Sequence, residues 1–155
     1  MDYQLQEGSI TLPDGFQDRT VNMFILGNNI PAPLNITLSR DNLLPAEDLQ
    51  AYVNRQVKLI AAKLRGYTVL AKKPAQLSSS QSLAGVQIEG YYMNEGRPVY
   101  QRQAAFEIAP GRILVFSTTS QKDFSGGQNE SWLQLLNSFQ PRRDATASTE
   151  NDTQD

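Results

Sequence analysis

The sequence contains several short segments in which apolar and polar residues alternate, or in which β-branched and aromatic residues concentrate. Both patterns are typical of β-strands, because successive side chains of a strand point to opposite faces of a sheet. Asn94-Glu95-Gly96 and Pro110-Gly111 have the composition of tight turns, so the last three segments are predicted to form an antiparallel meander. Pro74 and the serine-rich residues 78–82 predict a loop. The segments predicted as strands are residues 8–13, 20–26, 34–40, 67–72, 86–93, 98–108 and 112–119.

Residues 45–65 have apolar side chains at every third or fourth position, which is the spacing of an amphipathic helix. Pro45 suits the first helical turn, and Glu47 and Asp48 place negative charge near the positive end of the helix dipole. Gly66 predicts the end of the helix. The apolar stripe comprises Leu49, Tyr52, Val53, Val57, Leu59, Ile60 and Leu64.

A second helix is predicted near the end of the chain, with Asn129 as its N-cap and Trp132 on its apolar face. Residues 141–155 are polar, contain no large apolar side chain and end in acidic residues, so they are predicted to be a disordered tail. Together the elements predict an α+β fold. Residues 1–140 are expected to form a single domain, in which two helices pack on one side of an antiparallel, twisted sheet.

The composition excludes several classes of chemistry. The 155 residues include no His and no Cys, which rules out zinc sites built on those ligands, disulfides, thiol nucleophiles and Ser-His-Asp triads. No phosphate-binding loop or nucleophile-elbow motif is present. The 14 basic and 16 acidic residues give a net charge of −2, so nucleic acid is not an expected partner. We therefore predict no catalysis, no cofactor and no bound metal.

Two carboxylates are the strongest argument for an enzyme. Glu89 and Glu107 could face each other across the meander as an acid–base pair, as in a carboxylate-based hydrolase. A site of that kind would need a deep pocket that perturbs the pKa of one carboxyl group. Nothing near either residue suggests a nucleophile, so surface charge is the favoured interpretation.

No segment of the sequence predicts export or membrane insertion. The first residues, MDYQLQEG, lack the basic and apolar regions of a signal peptide. No apolar run approaches the roughly 20 residues that a membrane-spanning helix requires. We therefore expect a cytoplasmic protein that does not insert stably into a membrane.

Two glutamines occupy positions where the pattern predicts apolar side chains. Gln56 lies near the centre of the apolar stripe of the long helix, and Gln103 follows Gln101 on one face of strand 98–108. Strand 20–26 is largely apolar on both faces. The pattern alone favours a structural interpretation, in which Gln56 bonds within the domain and strand 20–26 is covered on both sides. Alternatively, these residues line a groove for an apolar partner helix, whose carbonyls or small polar residues bind the amides.

Four stretches of the sequence resemble a known protein family in their residues and in their order. Residues 7–24 read EGSITLPDGFQDRTVNMF, residues 38–41 read LSRD, residues 51–57 read AYVNRQV, and residues 95–103 read EGRPVYQRQ. In this order and spacing they are similar to the Eag chaperones, cytosolic proteins associated with effectors of bacterial type VI secretion systems. The resemblance extends over residues 3–140.

The resemblance implies a PsbP-like α/β sandwich that forms a symmetric homodimer with a concave surface. It implies ATP-independent binding of the N-terminal transmembrane helices of a secreted effector, which are shielded from water before export. It also implies that the chaperone promotes loading of the effector onto the spike protein of the secretion system. Neither catalysis nor a cofactor is implied. The alternative that remains open is a generic adaptor of the same fold whose partner is a folded protein.

The resemblance also assigns an effector-binding groove to particular residues. Three of them, Gln56, Ile60 and Leu64, follow one another at i, i+4 and i+8 on the long helix and so share one of its faces. Thr37 departs from the family, which has an aliphatic residue at that position. The predicted effector-binding residues are Val21, Met23, Thr37, Gln56, Ile60, Leu64, Val99 and Gln103.

Overall fold

A computed structural model describes residues 1–28, 34–78 and 82–141 of the chain. The tail predicted to be disordered lies, except for Pro141, outside these residues. The elements in chain order are β1 (Asp2–Gln4), β2 (Ser9–Thr11), β3 (Asn22–Ile25), β4 (Leu34–Asn42), α1 (Leu49–Lys63), β5 (Thr68–Leu77), β6 (Leu83–Asn94), β7 (Arg97–Ala109), β8 (Arg112–Ser120) and α2 (Gly126–Asn137).

Six strands form one antiparallel sheet in the spatial order β3-β4-β8-β7-β6-β5. The strands β6, β7 and β8 are successive neighbours, so the predicted meander is confirmed. Its first turn has Glu95 and Gly96 at φ values of 52° and 76°, as a tight hairpin turn requires. The strands β1 and β2 pair in a separate sheet, and β1, with only three residues, is not predicted by the sequence pattern.

The two helices contribute to different cores on opposite faces of the sheet, so the prediction that both pack on one side is wrong. The reason lies in β7, whose alternate residues face different helices. Ala104 and Phe106 belong to the core beside α2, whereas Ala105 belongs to the core beside α1. The α+β class itself is confirmed. The α2 core comprises Leu77, Ala104, Phe106, Leu114, Phe116, Trp132 and Leu136, and the α1 core comprises Tyr52, Val53, Val86, Ile88, Ala105 and Ile113.

The first helix begins at Leu49 rather than at residue 45, because Asp48 is its N-cap. The Asp48 carboxylate accepts a hydrogen bond from the Ala51 backbone N–H at 2.8 Å, which satisfies one of the free donors of the first turn. Pro45 therefore lies outside the helix, next to Ala46, whose φ of 64° is incompatible with a continuous helix.

The second helix begins at Gly126 and is capped by Ser125 rather than by the predicted Asn129. The Ser125 hydroxyl accepts a hydrogen bond from the Gln128 N–H at 3.2 Å, and Gln128 Oε1 accepts one from the Ser125 N–H at 2.9 Å. This reciprocal pair is a capping box. Asn129 Oδ1 instead accepts a hydrogen bond from Arg102 Nη2 at 2.7 Å and so ties α2 to the sheet.

Replacing Ser125 with alanine is expected to lower the free energy of unfolding by about 1 kcal/mol, because the Gln128 N–H loses its acceptor. Urea unfolding followed by circular dichroism measures the change. Ser131→Ala is the matched control, since Ser131 is exposed later in the same helix. Equal losses in the two variants would show that the cap has no special role.

The strand β5 forms one edge of the sheet and is longer than predicted. Pro74 lies inside it, paired with Val86, at a position where the sequence predicts a loop. A proline has no N–H to donate, and an edge strand tolerates this because only one of its sides is hydrogen-bonded. The strand therefore continues to Leu77.

Candidate binding groove

The helix α1 lies over β6 and β7, and a cavity of about 190 Å³ lies between the helix and the sheet. Three of the predicted binding residues, Gln56, Ile60 and Gln103, lie together in its lining. Gln56 and Ile60 come from successive turns of α1, and Gln103 comes from β7 on the sheet side. The remaining lining residues are Ser39, Arg40, Asp41, Tyr52, Val53, Val57, Val86, Ile88, Ala105 and Val115.

A row of paired residues extends this cavity across the sheet. Met23 of β3 pairs with Thr37 of β4, Thr37 with Ser117 of β8, and Ser117 with Gln103 of β7; the row continues to Ile88 of β6. Directly paired residues share a face of the sheet, so the whole row lies on the α1 side. At about 4.8 Å per strand, it is about 19 Å long. We call the cavity and this row together the groove.

The outer end of the groove is an exposed apolar strand. Met23 is 64% exposed and Val21, immediately before β3, is 55% exposed. Phe24 and Ile25 are exposed as well, on opposite faces of the same strand. The structural interpretation, in which this strand is covered on both sides, is therefore wrong for a single copy of the chain.

Two further predicted residues lie outside the groove, as Val21 does. Leu64 is the C-cap of α1 and is half-buried. Val99 shares a face of β7 with Gln103, but it lies opposite Tyr92 near the hairpin end of the strand. The structure thus brings five of the eight predicted residues into the groove and places Val21, Leu64 and Val99 around it.

The two central glutamines are half-buried, and their side chains make no hydrogen bond to another residue in the described ranges. The interpretation in which Gln56 bonds within the domain is therefore not supported. Both amides remain able to donate and accept hydrogen bonds at the groove surface.

The charged and phenolic groups beside the cavity, in contrast, are paired with one another. Tyr52 donates a hydrogen bond to Asp41 Oδ2 at 3.0 Å. Burial, and then this hydrogen bond, raise the pKa of the Tyr52 phenol, so that it stays protonated and continues to donate. Arg55 Nε lies 2.8 Å from Glu47 Oε2, and this hydrogen bond lowers the pKa of the Glu47 carboxyl group. The polar groups that are available to a ligand are therefore amides and hydroxyls.

The acid–base pair considered from the sequence does not form, because Glu89 and Glu107 lie on opposite faces of the sheet. Glu89 is on the α2 side, where its Oε1 lies 3.0 Å from Arg102 Nε and 3.2 Å from Lys73 Nζ. Glu107 Oε2 accepts a hydrogen bond from the Gly111 N–H at 2.9 Å. Each carboxylate thus has a structural partner of its own.

The described residues contain neither a candidate membrane-spanning helix nor a cluster of metal-ligating side chains. No helix within them is both long and apolar enough to cross a membrane. No group of three or more side chains of the metal-ligating types lies together in the same part of the chain.

Sequence reasoning missed Ser117, which lies between Thr37 and Gln103 at the middle of the groove. A serine in a strand ordinarily indicates a solvent-facing position. Ser117 is two positions from Val115 and from Thr119 on β8, so the three side chains share a face of the sheet. Only the pairing of β8 with β4 and β7 shows that this face belongs to the groove.

These features define a class of protein: an α+β domain with a helix on each face of an antiparallel sheet and a partly polar groove beside the first helix. The sequence model of the DcrB family matches residues 7–138. The chain belongs to this family.

The chain is 26% identical over 141 residues to effector EagT6 of Pseudomonas aeruginosa (strain PAO1), covering 90% of this chain and 95% of EagT6. The resemblance to the Eag chaperones is thereby confirmed. PA94, a P. aeruginosa protein of unknown function, has a similar crystal structure, with a TM-score of 0.68 and 24% identity over 93% of this chain and 98% of PA94. LpqN of Mycobacterium tuberculosis, involved in cell envelope biogenesis, has a TM-score of 0.49 and 15% identity, with 81% and 85% covered.

Proposed function

We propose that this protein is an ATP-independent cytoplasmic chaperone for a type VI secretion effector. It binds and shields the N-terminal transmembrane helices of the effector and promotes loading of the effector onto the secretion spike. The similarity to EagT6 supports a chaperone role in type VI secretion. The observation that carries the proposal is the groove, where Gln56 and Gln103 have no hydrogen-bond partner among the described residues.

A transmembrane helix suits the groove in size and chemistry. Because α1 lies over β6 and β7, the strands β8, β4 and β3 remain for a guest over a width of about 10 Å. That width matches one helix of about 10 Å diameter. Each Å² of apolar guest surface that the groove covers contributes about 25 cal/mol to the free energy of binding. Binding is therefore favourable without ATP.

The proposal includes a homodimer in which a second copy pairs with β3. The two edges of the sheet differ in their protection against strand addition. The edge strand β5 has a bulge at Leu70, charges at Lys72 and Lys73, and Pro74, all of which discourage pairing. The edge strand β3 has none of these features and exposes Met23. A second copy would cover this edge and continue the groove across a twofold axis.

Co-expression tests the proposal directly. The probe is a type VI secretion effector of the same organism, reduced to an N-terminal segment with apolar helices and fused to a soluble reporter. We expect several-fold more soluble reporter in the presence of the chain, and co-purification of the two proteins. A reporter fusion that lacks the apolar segment is the control and should not be retained.

The alternative is an adaptor that binds a folded protein. It predicts that the chain retains a folded effector domain and never the isolated N-terminal segment. That result would replace the chaperone proposal, because the proposal requires the chain to retain the isolated N-terminal segment.

A further inference from the structure

The sheet beneath the guest position, together with the adjoining part of β7, is not apolar. In the row that begins at Met23, the three central residues are Thr37, Ser117 and Gln103. The next row along the strands begins at Ile25 and continues on the same face with three more hydroxyl or amide residues. We call these six residues the floor: Thr37, Ser117 and Gln103 in the first row, and Asn35, Thr119 and Gln101 in the second.

Few of the polar groups of the floor are satisfied by one another. Asn35 Oδ1 accepts hydrogen bonds from the Thr119 hydroxyl at 2.8 Å and from the Thr119 N–H at 3.1 Å. The side chains of Thr37 and Ser117 make no hydrogen bond within the described parts of the chain. Gln101 Oε1 is buried and accepts none. Because Thr37 and Ser117 are half-buried, water can bond their hydroxyls, and a guest that displaces this water must replace the hydrogen bonds that it removes.

An aliphatic guest surface would not meet this requirement. Leucine or isoleucine side chains pressed on the floor would remove water from its hydroxyls and amides and would offer no hydrogen bonds in return. A guest helix with serine or threonine along one face would donate to the floor acceptors. Its small side chains would also let the helix approach the sheet closely, as small residues do between membrane helices.

We infer that the groove selects guest helices that present a stripe of small hydroxyl-bearing residues to the floor and keep their bulky aliphatic residues for the sides. This inference rests on the proposed function, because it concerns the chemistry of the guest in that same groove. Met23 lies at the β3 end of the first row, and Ile60 lines the cavity with Gln103, so both suit the aliphatic part of the guest. One helix thus meets two kinds of surface.

The experiment is a competition between two model guests fused to distinguishable soluble reporters. Both are 20-residue helices of leucine and alanine; one has serine or threonine at positions i, i+4, i+7 and i+11, and the other has leucine there. Both are co-expressed with the affinity-tagged, full-length chain, and the captured ratio is normalised to the amounts expressed. We expect about tenfold preference for the hydroxyl-bearing helix, equivalent to one or two additional hydrogen bonds.

The double variant Thr37→Val, Ser117→Ala removes two floor hydroxyls with little change of side-chain volume, and it should reduce the preference to about twofold or less. The matched control is Thr68→Val, Ser131→Ala, which makes the same chemical changes at exposed positions of β5 and α2 and should keep the preference. Equal capture of both helices by the unmodified chain, or an unchanged preference in the floor variant, would overturn the inference and leave the chaperone proposal standing. Capture of neither helix would overturn both.

Discussion

Changing Gln56 and Gln103 together to glutamate is expected to reduce guest binding at least about 100-fold without unfolding the protein. Both residues line the same cavity, so the two charges would face the position of the guest. An apolar helix would have to remove water from these carboxylates without pairing them, which costs several kcal/mol. A loss of about 3 kcal/mol in binding free energy corresponds to the expected reduction of about 100-fold in affinity. Pull-down of the reporter carrying the effector segment measures the loss.

The fold should survive this change, because neither glutamine side chain bonds to another described residue and both are only half-buried. The control is Gln50→Glu, Gln134→Glu, which adds the same charge at exposed positions of α1 and α2. Its binding should match that of the unmodified chain. If the groove variant, with an unchanged circular dichroism spectrum, still retained the segment, the guest would have to bind elsewhere.

The largest expected effect on stability comes from Gly85→Ala. A Cβ atom at position 85 would lie 2.3 Å from Phe106 Cδ1 and 2.4 Å from the Ala105 carbonyl oxygen. Phe106 is fully buried in the α2 core, and the Ala105 carbonyl belongs to the backbone of a central strand, so neither atom can move freely. We expect a loss of about 3 kcal/mol in the free energy of unfolding, at the upper end of overpacking effects.

Thermal and urea unfolding of this variant give the measurement, and Gly126→Ala is its control. A Cβ atom at position 126 would meet nothing within 4 Å, and alanine favours the helix that begins there. The control is therefore expected to be neutral or more stable by up to about 1 kcal/mol. A Gly85→Ala protein as stable as the unmodified chain would show that β6 and β7 do not approach each other as closely as described.

The parts of the fold that follow from local chemistry could be predicted from the sequence. The meander is marked by the turn at Glu95 and Gly96, which needs residues that accept positive φ. The placement of both helices on one side could not be corrected from the sequence, because β7 alternates small residues such as Ala104 and Ala105 on its two faces. The apolar residues on both faces of β7 show that each face must be buried, but they do not show which helix packs on which face.

The start of a helix cannot be predicted from the sequence where two residues suit the same role. Asp48 and Ser125 are the caps, whereas Pro45 and Asn129 had equally suitable chemistry for a first turn or a cap. Asn129 is instead bonded to Arg102, a residue 27 positions away in the sequence. A contact between residues so far apart in the sequence depends on the tertiary fold, so no local sequence pattern predicts it.

Only the part of the groove that depends on local spacing could be predicted from the sequence. Gln56 and Ile60 share a helical face, which spacing alone reveals. The pairing of Thr37 with Ser117, and of Ser117 with Gln103, depends on the register of three strands. Register is set by the whole sheet, so the polar floor could not be read from any one segment.

The place of β8 in the sheet has a consequence for when the protein becomes able to bind. It is the last strand in chain order among the described residues, yet it lies between β4 and β7 and joins the β3-β4 pair to the β5-β6-β7 group. During synthesis the two halves of the sheet remain unconnected until β8 has left the ribosome, because β8 is the strand that pairs with both β4 and β7. An incomplete chain therefore lacks the complete groove, and under the proposed function a guest would be recognised only after β8 has joined the sheet.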